Sequence, residues 1–179
     1  MMKTNAQASS TGFAMLEVLI AVVVLATGMM GIAGMLLLSH KSNSSSYIKQ
    51  QSVQSAYDIF DRMRANRQAA VNGNYNVSNL VKSGTPTLPS APATDCASTA
   101  CTAAQLVAYD TWHWLAKDVA QLPNGSGAVS TAAAATGGNT LVTVTVQWDD
   151  SPAQKNLGAL GAAPAASPNL AQFVIQTLL

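Results

Sequence analysis

The chain begins with a polar stretch, MMKTNAQASSTG, and then changes character. From Phe13 to Leu38 the positions are apolar or small but for one acid, Glu17, and the 21 residues from Val18 to Leu38 carry no ionisable group. As one helix that run measures about 31 Å, close to the thickness of a bilayer core. An ordinary secretory signal has a shorter apolar region closed by a small-residue cleavage site of the A-x-A kind, and nothing of that sort ends this one. Polar positions return at His40–Ser46, a serine-rich stretch where the helix is expected to be soft. Beyond it Val53, Ala56, Tyr57, Phe60 and Met63 follow the spacing i, i+3, i+4, i+7, i+10, which predicts one apolar face of an amphipathic helix. Asn72-Gly73-Asn74 supplies a C-terminal stop. The expectation is one helix of roughly 55 residues, apolar all round in its first half and amphipathic in its second.

The remaining pattern is shorter in range. Residues 74–95 show no period and contain Pro86, Pro89 and Pro92, which predicts an irregular surface connection. A second helix is expected over Thr102–Gln121, with Ala108, Trp112, Leu115, Val119 and Leu122 on one stripe and Tyr109 and Ala116 beside it. Trp112 and Trp114 are two apart, so they cannot both face one core. LPNGSG at 122–127 ends the helix in a tight turn. Three strands follow: Ala128–Ala132, then Leu141–Trp148, then Ala171–Leu178. The middle one is the clearest, because Val142, Val144, Val146 and Trp148 alternate with Thr143, Thr145 and Gln147. Asp149-Asp150-Ser151-Pro152 ends it, and residues 153–168 form an Ala/Gly/Pro-rich loop. The fold class is α+β, a short antiparallel sheet laid on the amphipathic half of the first helix, with the second helix added.

Composition narrows this further. At 179 residues, less the polar opening stretch and the apolar run, enough chain remains for one small domain and not two. Charged residues make up 9% of the chain, partly because of the apolar run and partly because the rest is rich in Ala, Ser, Thr, Asn and Gln. Nine basic residues stand against eight acidic ones, and without Lys3 of the polar opening stretch the two are equal at eight. Zero balance, with Lys82, Lys117 and Lys155 scattered, argues against direct nucleic-acid binding. Charge does not decide membrane orientation either, since Lys41 and Lys49 follow the apolar run and only Lys3 precedes it. Cys96 and Cys101 have no histidine or second cysteine pair with zinc spacing. A local disulfide is therefore favoured in an oxidising compartment, worth about 2 kcal/mol at most for so short a loop.

Few residues invite a chemical role. A carboxylate inside a membrane helix costs a few kcal/mol, which makes Glu17 a functional candidate. His113, between two tryptophans, has no second histidine, cysteine or acid cluster with it and reads as structural. Arg62, Arg64 and Arg67 read as a solvated basic face, with Asp58 and Arg62 forming an i,i+4 pair. Asp149 and Asp150 read as a turn rather than a calcium site. Gly28, Gly31 and Gly34 favour close helix packing, although a spacing of three is not that of GxxxG. There are no paired acids, no nucleophile with a base and no phosphate-binding glycine loop, so an enzyme, a cofactor and a metal site are not expected.

Gly12-Phe13, then Glu17, then about twenty apolar residues resemble the prepilin motif of type IV pilins and type II secretion pseudopilins. The resemblance implies a leader over 1–12, cleaved by a prepilin peptidase between Gly12 and Phe13, and N-methylation of Phe13. It makes Glu17 the fifth mature residue, the acid used in assembly. The glycines of the run would then ease loosening of the helix in a filament. It also implies a transmembrane and assembly half over 13–38, an amphipathic half over 39–72 and a periplasmic globular domain over 73–179, together making the pilin fold. The chain would be single-pass in the inner membrane with its C-terminal part periplasmic. Implied partners are the major pilin, other minor pilins and an inner-membrane assembly platform. Cys96 and Cys101 leading into YDTWHWLAKDVAQLPNGSGAV, followed by VTVTVQWDD, are similar to the PilV class of minor pilins. Major type IVa pilins commonly carry a disulfide loop near the C-terminus, whereas here no cysteine follows Cys101. The implied function is a minor pilin in a tip or priming complex, supporting twitching, adhesion or DNA uptake. A minor pseudopilin of type II secretion is the same-fold alternative, and a pilin that binds DNA itself is a third.

Overall fold

The computed structural model describes residues 11–133, 139–151 and 169–179, with side chains described from Met15 onward. The greater part of the expected leader, Lys3, Pro152, Lys155 and the Ala/Gly/Pro-rich loop lie outside these residues. The chain divides into two units, Met1–Lys41 and Ser42–Leu179. Helix α1, Thr11–Ala65, contributes to both and is unbroken through the serine-rich stretch.

In the first unit the apolar side chains are outward-facing all round, with Leu19, Val24, Met30 and Met35 all exposed. Apart from the adjacent backbone of the helix itself, nothing lies within 4 Å of where a Cβ would stand at Gly28, Gly31 or Gly34. Among the described residues this is one helix long and apolar enough to cross a membrane. A helix suits that setting because its backbone groups are satisfied internally, and Thr27 returns its hydroxyl to the Val23 and Val24 carbonyls at 3.1 and 2.9 Å.

In the second unit the amphipathic part of α1 buries Ile48, Ser52, Ser55, Ala56, Ile59, Phe60 and Met63. Ala56, Phe60 and Met63 are where the pattern predicted them. Val53 is half-buried, and Tyr57 faces outward, 49% exposed, while Ile59 takes the inner position. The inner face is centred slightly off the predicted line, and polar serines that the period could not flag lie on it. At Asn66 the backbone leaves the helix (φ −119°, ψ 52°), and a short helix α2, Arg67–Val71, follows. Its end is a Schellman cap, with Asn74 N–H donating to Ala69 O and Gly73 N–H to Ala70 O. Gly73 sits at φ +78°, where a side chain would be strained. The stop signal is thus at the predicted place, one helical break later than a single rod would have it.

Four strands form one antiparallel sheet in the order β1-β2-β3-β4: Val77–Ser78, Ser126–Ala133, Thr140–Asp149 and Leu170–Leu178. β1 was not legible, being two residues inside a proline-rich connection. In β3 the alternation holds: Val142, Val144, Val146 and Trp148 are buried, and Val144 lies between Val129 and Ile175 of its neighbours. These valines share one core with Ala56, Ile59, Phe60 and Met63 of α1, so the sheet packs on the amphipathic half of the helix.

The second helix starts where predicted. Thr102 caps α3, Ala103–His113, in a capping box: its hydroxyl accepts Gln105 N–H, and Gln105 Oε1 accepts Thr102 N–H. The helix then widens into a π turn over Trp114–Asp118 and tightens into a 3-10 turn over Val119–Gln121. This changes which side is buried. Leu115, Val119 and Leu122 face the core as expected, but upstream the core positions are Trp114, Asp110 and Val107 rather than Trp112 and Ala108. A π turn holds one extra residue, so it shifts the helical phase by one position. Trp114 wins the core, and its Nε1–H donates to Ser55 O at 3.0 Å. The architecture is the pilin type, a long N-terminal helix on a short antiparallel sheet with a second helix.

Candidate functional site

Gly12 and Phe13 lie in the first turn of α1, and Glu17 follows one turn beyond Phe13. The Glu17 side chain is exposed, and among the described residues it makes no hydrogen bond or ion pair. It therefore stands as a lone carboxylate at the head of an apolar helix. Downstream of Glu17 the described first unit carries no further acid, and its basic residues are His40 and Lys41 at its end.

The second unit holds its charges in a different way. Arg62 is the centre of a network that ties α1 to α3. Its Nε donates to Asp58 Oδ2 at 2.6 Å, its Nη1 to Asp110 Oδ1 at 3.2 Å, and its Nη2 lies 3.2 Å from His113 Nδ1. Tyr75 OH donates to the other oxygen of Asp110 at 2.7 Å. Asn66, freed from the helix, donates to Tyr75 OH and to Ala103 O at the start of α3. Burial works against the Arg62 charge, but bonds to Asp58 and Asp110 outweigh it and raise its pKa. Burial is also the main reason the Tyr75 hydroxyl is pushed far up, with the Asp110 carboxylate adding to it. Both groups keep their protons, as donors to a buried carboxylate must.

His113 Nδ1 faces Arg62 on one side and Asp118 Oδ2, at 3.3 Å, on the other. One nitrogen cannot accept from the guanidinium and donate to a carboxylate at once. The Asp118 pKa is raised, caused first by burial and opposed by the neighbouring His113. The structural role expected for His113 is thus to join two helices. The reading of Arg62 as part of a solvated face is corrected: it is half-buried, whereas Arg64 and Arg67 stay exposed. The Asp58–Arg62 pair is present, as one arm of a larger set.

Cys96 and Cys101 are joined by a disulfide just ahead of the Thr102 cap. Asp149 accepts Ser151 N–H in a turn, and Asp150 is buried where it accepts the Ser45 hydroxyl. Among the described residues no group of three or more His, Cys, Asp or Glu is arranged to hold a metal ion.

Residues 35–112 match the model of a family described as Tt1218-like, type IV pilin Tt1218. The match runs from the last apolar turns of α1 through the disulfide to Trp112. Over that stretch the chain is similar to type IV pilins. No curated protein and no solved structure matches the chain.

Proposed function

We propose that this chain is a minor pilin of a type IV pilus, similar to the PilV class. One observation carries the reading: a lone exposed carboxylate, Glu17, stands one helical turn after Phe13 at the head of a membrane-length helix. A prepilin peptidase cleaves after Gly12, and Phe13 then carries a methylated N-terminal amine. In the membrane the Glu17 carboxylate and that amine are each costly alone. When a subunit docks, its acid meets the amine of a neighbour, and the two charges compensate each other in a low-dielectric setting. Assembly in correct register is therefore favoured over free diffusion. Residues 13–38 anchor the chain in the inner membrane before assembly, and the domain from 39 onward is periplasmic. Its partners are other minor pilins, the major pilin and the inner-membrane assembly platform. The chain is a structural subunit and not an enzyme.

The test is mass spectrometry of the N-terminus in membranes and in sheared pili. A chain beginning at N-methylated Phe13 is expected in both fractions. An intact Met1 terminus in both would overturn the reading. A deletion strain separates this role from that of a secretion pseudopilin, since loss of surface pili supports the first and loss of exoprotein release the second.

A further inference from the structure

The surface of the second unit carries a groove beside the charged network. A cleft of about 520 Å³ lies between the proline-rich connection and α3, with Tyr109, Trp112, Lys117 and Asp95 in its wall. A second hollow of about 350 Å³ along α1 contains Gln51, Gln54 and Asp58. Both are lined by Asp118 and Gln121, so the two hollows adjoin across these residues.

Its aromatic wall is the by-product of the π turn. Trp114 takes the core, which leaves Trp112 half-buried, with its ring 5.7 Å from Tyr109 and 6.2 Å edge-on to His113. The Lys117 ammonium rests 5.5 Å from the centre of the Trp112 ring, on a flexible and exposed side chain. Beyond this apolar wall the groove is lined by planar polar groups, the amides of Gln51, Gln54 and Gln121 and the carboxylates of Asp58 and Asp118. Gln51 Nε2 donates to Gln121 Oε1 at 3.3 Å, so two of the amides are already held in place.

The charge balance selects the ligand. Three carboxylates line the groove, and each is partly engaged: Asp58 by Arg62, Asp118 by His113, and Asp95 by the Ala97 N–H and the Ser98 hydroxyl. All three keep acceptor lone pairs, and Asp95, whose partners are neutral, keeps its charge uncompensated. An anionic ligand such as a phosphodiester chain would meet three carboxylates against Lys117 and His113. A pyranose fits better, since its C–H face is apolar and suits an indole while its rim of hydroxyls suits amides and carboxylates. We propose that this groove binds a neutral oligosaccharide, one ring stacked on Trp112 beside Tyr109 and later rings crossing Asp118 and Gln121 towards Gln54. The inference concerns the second unit alone and does not rest on the pilin reading.

The test is calorimetric titration of the full chain in a detergent without a sugar headgroup, using cellotetraose and maltotetraose. Saturable binding of at least one is expected. Trp112→Ala should weaken it at least about tenfold, and Trp112→Phe should restore most of it. Gln54→Ala, at the far end, should weaken binding of the tetrasaccharide but not of the matching disaccharide. Both sites are at the surface, and unchanged thermal melts check that the variants fold. Absence of binding to either sugar, or an unchanged affinity in both Trp112→Ala and Gln54→Ala, would overturn the proposal. So would tighter binding of oligothymidylate or of a hyaluronan tetrasaccharide.

Discussion

Arg62 holds α1, α3 and the Tyr75 segment together through contacts with Asp58, Asp110 and His113. Its removal leaves Asp110, whose side chain is 5% exposed, with Tyr75 as its one hydroxyl donor. Arg62→Ala should therefore cost about 3 kcal/mol in urea denaturation, well above the few tenths of an isolated surface pair. Arg62→Lys should recover part of this, since lysine keeps the charge but not the fork. Asp118 acts through pH. Its pKa is raised in the fold from 3.8, so above pH 3.8 the folded state binds more protons than the unfolded one. Stability from this group thus falls as pH rises through its folded pKa. Asp118→Asn should raise Tm by a few degrees at neutral pH, with the gain vanishing below pH 3.8 in a melt series. Of this network the Asp58–Arg62 pair was readable, since i,i+4 places it on one helix face. Asp110 and His113 lie 48 and 51 positions from Arg62, and no local pattern signals pairing across such a gap.

Among the elements, β3 and the second helix behave differently. The strand's alternation survives intact because a pleated strand has a period of two, whatever packs on it. The helix has a phase that one extra residue can shift, and its π turn does so between His113 and Val119. The close approach of β2 is tied to that shift. A Cβ on Gly127 would stand 2.6 Å from Trp114 Cη2, and Trp114 cannot retreat easily because its ring N–H is held by Ser55 O. Gly127→Ala should cost about 2 kcal/mol, read as a lowered Tm in thermal unfolding. A smaller residue at Trp114 would relieve the clash but open a cavity in the core, so the pair is matched.

For the molecule as a whole, the proposed assembly role makes a separable prediction. Glu17→Val removes the intramembrane acid without touching the second unit. Leader cleavage and the melt of the globular domain should remain unchanged, while incorporation into sheared pili should be lost. Immunoblots of the pilus and membrane fractions measure this, and normal incorporation would refute the pairing account.

The division between local and long-range information follows from where each energy term resides. Helix α1, its stop at Gly73, the capped start of α3 and the valine ladder of β3 are written in short-range signals. Backbone hydrogen bonding, capping and hydrophobic period act within a few residues of one another, so the chain order displays them directly. The identity of the core tryptophan, the Arg62 network and the aromatic groove are not displayed there. Each depends on a helix phase chosen by packing against Ser55 and Gly127, and packing is settled between residues that the sequence keeps far apart.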